Sequence, residues 1–243
     1  MLTPKTQALW DATQEEKALL PGFVLIGGTA LSLHINHRIS VDLDFAFIGS
    51  KLPRERIQRL IELLAEKGFQ ITPNDNPAAL EDFSQGGEDL HDYHQDYVVD
   101  NEAKLTFVCP GSSTRQILGG NPTDPFRVAT VDEIFKLKCH VVTQRNKSRD
   151  WFDLYTLFTQ HGYTVDSLRE TFDAMKQPYQ ADIALARLCS CTMNSHDEGY
   201  AQLLKNSPST ETMASYFRKE LKKNEVSLAR TVLQSSSKRA KTP

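Results

Sequence analysis

Long apolar runs are absent from the sequence, which contains no stretch of about eighteen consecutive apolar residues, the length of a membrane-spanning helix. Cysteine is scarce: the chain has 4, and the closest pair, Cys189 and Cys191, has neither zinc-ribbon nor thioredoxin spacing. The first residues, MLTPKTQALWDATQEEK, lack the apolar core of a signal peptide and carry acids early. We therefore expect no membrane span, no targeting signal and a location in the reducing cytoplasm.

An excess of positive charge is absent too. The 28 Lys and Arg against 31 Asp and Glu leave a formal charge of −3, which argues against nucleic-acid binding through overall charge and leaves local basic patches open. Glu81 to Glu102 contain eight acids and no Lys or Arg, whereas Arg127 to Arg149 contain six basic residues and two acids. With 40% hydrophobic residues, the composition is that of a globular protein and not of a disordered chain.

The first half of the chain alternates short apolar runs with glycine. Phe23–Ile26 is an apolar run that Gly27-Gly28 stops, a helical segment follows, and Val41–Phe47 alternates like a strand. Pro53–Gly68 has the apolar stripe of an amphipathic helix, with proline at its start and glycine at its end. The pattern predicts a strand, a glycine turn, a helix, a second strand and a second helix.

The rest of this half predicts a short strand at FQIT, then a polar loop over residues 73–92. The segments DYVV and KLTFVC flank a turn-like Asp100–Glu102 and predict a β-hairpin, after which we expect the sheet to end. From about residue 127 the pattern is helical to about residue 233, beginning with a capping box at Thr130 and Glu133.

We therefore predict an α+β (α/β) fold in two parts. Residues 1–126 form a small mixed β-sheet domain with helices, residues 127–234 an α-helical domain, and residues 235–243, which lack large apolar side chains, a disordered tail. Contact between the two domains would form a cleft.

Two aspartates stand out on the second predicted strand. Asp42 and Asp44 are two positions apart, so both side chains leave the same face of a strand and their carboxylates can converge. Mg²⁺ takes oxygen ligands and commonly uses one or two carboxylates together with substrate phosphates. Taken alone, the pair favours a solvated strand face over a metal site.

A glycine turn accompanies the aspartates. Gly27 and Gly28 lie between a strand and a helix, where backbone N–H groups can approach an anion, and Thr29 adds a hydroxyl near the positive end of the helix. This arrangement is typical of a phosphate-binding turn, although a lone glycine pair is more often a tight turn. The hairpin would place the turn beside the aspartates.

The segment GGTALSLHINHRISVDLDF resembles the first motif of the AbiEii-type nucleotidyltransferases, toxins of bacterial abortive-infection toxin–antitoxin pairs in the DNA polymerase β-like superfamily. A second similarity lies in ATVDEIFKLKCHVVTQRNKSRDWFDLYTL, which has a Lys-x-Lys helix followed by an Arg-Asp-x-x-Asp-Leu segment. The two motifs cover roughly residues 20 to 160. The residues that match the first motif are Gly27, Gly28, Thr29, Ala30, Leu31, Arg38, Ser40, Asp42, Leu43, Asp44 and Phe45.

The resemblance implies a Mg²⁺-dependent enzyme, with Mn²⁺ as an alternative metal, that transfers a nucleoside monophosphate from an NTP and releases pyrophosphate. Asp42 and Asp44 would hold the metal, and Gly27, Gly28 and Thr29 the outer phosphates. The acceptor would be an RNA end such as that of tRNA, and the biological partner an antitoxin protein. Arg38 would reach a phosphate or pair with Asp42, and Ser40 would belong to the nucleotide site.

The second motif adds basic and acidic candidates. Lys136 and Lys138 are two apart on a helix and cannot face the same way, so at most one faces the nucleotide, and Lys138 is favoured by a small margin. Asp150 and Asp153 share a helical face, where one carboxylate would contact the nucleotide or orient the acceptor. Asp150 is slightly preferred because the basic residues before it lead directly into it.

One position departs from the superfamily pattern. A third carboxylate commonly lies on a following strand and acts as the base for the attacking hydroxyl, but Thr106 takes that place here. Asp100 or Glu102 would have to reach in, or the metal and a residue of the helical domain would activate the acceptor, or catalysis would be impaired.

Two alternatives follow. The first is a regulatory module that binds nucleotide but turns over little, and the second is a nucleotidyltransferase whose acceptor is a small molecule such as an aminoglycoside. The spacing of His91 and His94 with Asp92 and Asp96 offers metal-ligand residue types, but a solvated acidic loop is the favoured interpretation of this segment.

Overall fold

The computed structural model describes residues 1–193, 197, 199–200 and 207–239. It divides into two compact units, Met1–Leu137 and Lys138–Pro243, so the first unit ends eleven residues after the domain boundary that the sequence suggests. The fold is mixed α and β, as predicted.

A six-stranded mixed sheet forms the centre of the first unit. Its strands are β1 (Phe23–Ile26), β2 (Leu43–Phe47), β3 (Ile71–Pro73), β4 (His94–Val99), β5 (Ala103–Val108) and β6 (Arg127–Val128). Their order in the sheet is β3-β4-β5-β2-β1-β6, in which β2–β5 and β1–β6 are parallel pairs and the other neighbours are antiparallel.

Aromatic residues on one face fix the register of the central strands. Phe45 of β2 and Phe107 of β5 are directly opposed, fully buried and stacked with ring centroids 5.4 Å apart, and Phe23 of β1 packs edge-on against Phe107. Burying such a side chain contributes about 1.5–3 kcal/mol, and a slip of one residue would turn the aromatics outward. Asp44 and Thr106 therefore project from the opposite face of the sheet, away from these aromatic residues.

Helices border the sheet in the first unit. The helices beginning in this unit are α1 (Pro4–Glu15), α2 (Gly27–Ile35), α3 (Arg54–Glu66), α4 (Pro77–Gln85), α5 (Ser112–Leu118) and α6 (Val131–Val142), with 3₁₀ turns at Lys17–Leu19 and Leu90–Asp92. The helical segment predicted after the first strand is confirmed as α2, and the amphipathic helix predicted over Pro53–Gly68 is confirmed as α3. The predicted capping box is present, because Thr130 and Glu133 exchange hydrogen bonds between side chain and backbone.

Two expectations for this unit are wrong. The polar loop predicted over residues 73–92 contains α4, which begins because the Asn76 side chain accepts the N–H groups of Ala78 and Ala79 while Pro77 occupies the first turn. The sheet does not end at the hairpin, since β6 pairs with β1. Two residues carry no periodicity, so this strand depends on tertiary pairing alone.

The second unit is helical in its described residues. It continues α6 from Lys138 and adds α7 (Ser148–Gln160), α8 (Val165–Ala174), α9 (Tyr179–Ser190) and α10 (Thr210–Arg239). Buried aromatic residues of α7 and α10 form much of its core: Trp151, Phe158 and Phe217 are each 5% exposed or less.

The C-terminal helix differs from the sequence expectation. Helix α10 includes residues 235–239, which the sequence assigns to a tail, because extending an existing helix requires much less free energy than starting one. Residues 240–243 lie outside the described residues. None of the described helices combines the length and apolar content that a membrane crossing requires.

Candidate active site

The glycine turn and Asp44 are in direct proximity. Gly27 begins α2 with φ of +75°, and a Cβ there would lie 2.5 Å from Oδ2 of Asp44. Only glycine both adopts this backbone angle and lets the carboxylate approach so closely. The carboxylate of Asp44 therefore lies at the N-terminus of α2, where the helix dipole favours negative charge.

Asp42 lies one residue before β2, and not within the strand as predicted. Its carbonyl oxygen accepts a hydrogen bond from the Thr29 hydroxyl, and the same hydroxyl bonds Ser40 Oγ at 2.9 Å. The Asp42 carboxylate accepts the N–H of Lys104 at 3.3 Å. Thr29 is fully buried, so its side chain holds the segment before Asp42 to the first turn of α2.

Arg38 brings a positive charge to the same turn. It is 4% exposed, and its guanidinium lies so close to Gly28 that a Cβ at Gly28 would overlap Nη2. The same Cβ would lie 3.2 Å from Ser40 Oγ. Gly28, Arg38 and Ser40 are therefore packed together at the N-terminus of α2, where an anion is favoured.

A polar row crosses the sheet beside Asp44. Asp44 on β2 is directly opposite Thr106 on β5, which is directly opposite Asp96 on β4. Sequence analysis placed Asp96 at the start of the predicted strand DYVV, but it also grouped Asp96 with His91 and His94 as a solvated acidic loop, so its position beside Thr106 was missed. The signal was its period-two alternation, in which Gln95 and Val99 are buried on one face and Asp96 points to the other.

The two turn acids are engaged elsewhere. Asp100 accepts the backbone N–H of Gln70 at 2.9 Å, and Glu102 pairs with Lys5 at 2.7 Å with more than half of its side chain exposed. The Asp100 and Asn101 φ angles of 51° and 56° form the predicted turn. Neither acid occupies the Thr106 position on β5.

A buried ionic cluster lies in the second unit. Lys138 Nζ is 2.6 Å from Asp150 Oδ1 and 2.7 Å from Asp153 Oδ2, and Arg145 Nε is 2.8 Å from the other oxygen of Asp150. Lys138, Asp150 and Asp153 are 6%, 1% and 0% exposed. Burial raises the pKa of Asp150, but the Lys138 and Arg145 charges outweigh it, so the net pKa lies below its ordinary value.

Lys136 has the surface position. It pairs with Asp132 one turn earlier at 2.6 Å, and the side chains of the two residues are 39% and 58% exposed. The two lysines of the motif therefore face different environments, and Lys138 is the one that joins Asp150 and Asp153.

Asp42 and Asp44 suit a hard cation whose remaining ligands come from water and substrate. Among the described residues, no group of three or more His, Cys, Asp or Glu side chains is arranged to hold a metal ion. The two carboxylates of Asp42 and Asp44 supply oxygen ligands only, as Mg²⁺ prefers, and the remaining ligands would be waters and substrate phosphates.

Comparison with protein families matches residues 10–225 to the family described as nucleotidyl transferase AbiEii toxin, type IV toxin–antitoxin system. A search of curated proteins found no match. Among solved structures, the chain is similar to JHP933 from Helicobacter pylori, with 20% identity, a TM-score of 0.46, and coverage of 96% of this chain and 100% of that one. It is also similar to the nucleotidyltransferase toxin MenT4 from Mycobacterium tuberculosis, with 16% identity, a TM-score of 0.49, and coverage of 86% and 82%.

Proposed function

Because the chain belongs to the AbiEii nucleotidyltransferase toxin family, we propose that it transfers a nucleoside monophosphate from an NTP to an RNA end such as that of tRNA and releases pyrophosphate. Its biological setting is then that of a cytoplasmic toxin opposed by an antitoxin protein. The cytoplasmic location agrees with four free cysteine thiols. The observation that carries the proposal is the approach of the Asp44 carboxylate to the glycine turn at the start of α2.

Asp42 and Asp44 are the residues that would hold Mg²⁺ or Mn²⁺. The bound metal would neutralise charge on the α-phosphate and on the leaving pyrophosphate. Thr29 fixes the backbone of Asp42, and Gly27 leaves room for the carboxylate of Asp44. These contacts support the assignment, since groups that are fixed before substrate binds reduce the reorganisation that the reaction requires.

The start of α2 is suited to the outer phosphates. The N–H groups of its first turn have no partner within the helix, Ile26 provides no side-chain cap, and the Arg38 guanidinium adds a positive charge beside Gly28. Ser40 lies next to the same guanidinium. A triphosphate placed there would have its α-phosphate toward the aspartates.

The roles of Lys138, Asp150, Asp153 and Lys136 toward the nucleotide stay predictions. What supports Lys138 and Asp150 is their burial in one ionic cluster, since functional sites often hold charges that burial and close partners perturb. The exposed pair of Lys136 and Asp132 makes Lys136 the weaker candidate.

The test uses each α-labelled NTP with Mg²⁺ and total tRNA. Wild type is compared with Asp42→Asn plus Asp44→Asn, and the control is Asp89→Asn plus Asp92→Asn, which removes two carboxylates that form ion pairs with Lys51 and Arg54 in the same unit. We expect label on RNA from wild type and control only. Equal labelling by the Asp42 and Asp44 double variant would refute the site.

A second candidate is favoured by Thr106, which occupies the position where a third carboxylate would act as base. The chain would then be a nucleotide-binding regulatory module that turns over little. Binding of Mg·NTP without pyrophosphate release, with every acceptor tried, would identify it. A small-molecule acceptor is distinguished by salt, because raised salt weakens transfer to RNA far more than transfer to a small acceptor.

A further inference from the structure

Thr106 stands in the middle of the polar row on the sheet. Its Cα is paired with that of Asp44 on β2 and with that of Asp96 on β4. Directly opposed residues of neighbouring strands project from the same face, with strands about 4.8 Å apart. The carboxylate of Asp96 is therefore one strand beyond Thr106, on the face that carries Asp44.

Two neighbouring side chains, Thr106 and His94, bond to the carboxylate of Asp96. The Thr106 hydroxyl donates to Oδ1 of Asp96 at 2.7 Å, and His94 Nε2 lies 2.9 Å from Oδ2 of the same carboxylate. Thr106 thus points its proton at Asp96, which leaves the lone pairs of its oxygen available to another donor.

Asp96 is ionised at neutral pH. Burial raises its pKa, but the hydrogen bonds from His94 and Thr106 outweigh burial, and the net pKa lies below its ordinary value. Its hydrogen bond to Asp96 is also the main cause that raises the pKa of His94, and the negative charges of Asp44 and Asp75 add to the effect. The charged groups that act on Asp96 are His94 on its own strand and Lys104 on β5, whereas Asp44 on β2 and Asp75 after β3 act on His94.

We propose that Thr106 and Asp96 together replace the third carboxylate: the acceptor hydroxyl gives its proton to Thr106 Oγ1 as the Thr106 proton passes to Asp96 Oδ1. The acceptor oxygen then forms its bond to the α-phosphorus while the bond from that phosphorus to the pyrophosphate oxygen breaks. Thr106 ends unchanged, and Asp96 ends protonated and releases its proton to water. Thr106 contacts the substrate, and Asp96 acts through it. This inference rests on the proposed transfer reaction.

A cavity adjoins Asp96 and His94 on this face of the sheet. This cavity of about 440 Å³, within the size range of small-ligand sites, is lined by His94, Asp96 and Val108 of the face and by Phe83 and Tyr93. The Phe83 and Tyr93 rings are 5.7 Å apart. The cavity is also lined by Asn74, Asp75 and Asn76, so its aromatic rings suit a base and its polar groups suit the sugar of a terminal nucleoside.

The experiment separates proton transfer from binding and from folding. Thr106→Val and Asp96→Asn keep the side-chain shapes and remove the relaying hydroxyl and the proton acceptor, whereas Thr106→Ser keeps the hydroxyl. Asp92→Asn is the matched control, since its carboxylate precedes the same strand and pairs with Lys51 and Arg54 at the surface. Each variant is tested for Mg·NTP affinity, thermal unfolding, and kcat of transfer to tRNA across a pH series.

We expect Thr106→Val and Asp96→Asn to lower kcat by about 10²–10⁴ with unchanged NTP affinity, as loss of a general base does. Thr106→Ser and Asp92→Asn keep most of the rate. The wild-type rate falls at acid pH as Asp96 is protonated, and Asp96→Asn lacks this fall.

The outcomes are distinguishable. If wild type transfers label and both Thr106→Val and Asp96→Asn match its kcat, the relay is refuted while the proposed function stands. If wild type transfers no label from any NTP, the proposed function fails and the relay fails with it.

Discussion

The replacement of Lys138 by methionine tests the buried ionic cluster of the second unit. The substitution preserves the apolar stem and removes an ammonium that lies 2.6 and 2.7 Å from carboxylates of Asp150 and Asp153. Both carboxylates are 1% exposed or less, so water cannot replace the lost partner without rearrangement. Removing one member of a buried ion pair costs about 3–5 kcal/mol, and we expect a loss of this size in the free energy of unfolding.

The matched control is Lys136→Met. It makes the same substitution on the same helix but removes an exposed pair with Asp132, for which a loss of about 0–1 kcal/mol is expected. The chain has 2 Trp, so a Trp10→Phe background leaves Trp151 of α7 as the fluorescence reporter of urea unfolding. If the two lysine variants unfold within about 1 kcal/mol of each other, the cluster does not stabilise the unit as argued.

Three further predictions concern single side chains. Gly27→Ala forces an L residue into a left-handed backbone and pushes a Cβ toward Asp44 Oδ2, so transfer to RNA should fall by up to about 10²-fold in a steady-state assay. Thr29→Val removes the buried hydroxyl that bonds the Asp42 carbonyl and should cost about 1–3 kcal/mol in urea unfolding, whereas Thr29→Ser should cost less. Because the folded-state pKa of Asp150 is below its ordinary 3.8, its stabilisation is present above that pH and lost as pH falls through the folded-state value. The stability difference between wild type and Asp150→Asn should therefore shrink as the pH falls below 3.8, and a difference that stays constant from neutral pH to well below 3.8 would contradict the assignment.

Local patterns predicted the elements that carry the first motif. The structure could be predicted from a few residues for the apolar run of β1, for the glycine turn and for the apolar stripe of α3, because burial on one face leaves a visible period in the sequence. The capping box before α6 was equally readable from Thr130 and Glu133. Helix α4 also had a local signal, in Asn76 followed by Pro77, which the polar composition of the segment obscured.

Tertiary pairing decided what the sequence left open. The polar residues His94 and Gln95 lie before the predicted strand DYVV, and they join β4 because pairing with β5 supplies the backbone hydrogen bonds. The choice between Lys136 and Lys138 was nearly even in sequence. The burial of Lys138 depends on its ion pairs with Asp150 and Asp153 of α7, and such pairing between helices is not visible in the sequence of α6 alone.

The most direct test of the proposed function is the stoichiometry of transfer. The amounts of α-label on tRNA and of pyrophosphate released are measured in the same reaction, for wild type and for Asp42→Asn plus Asp44→Asn. The account predicts one pyrophosphate for each label transferred by wild type, and neither product from the double variant. Pyrophosphate release without label on RNA, or labelling by the double variant at the wild-type rate, would contradict it.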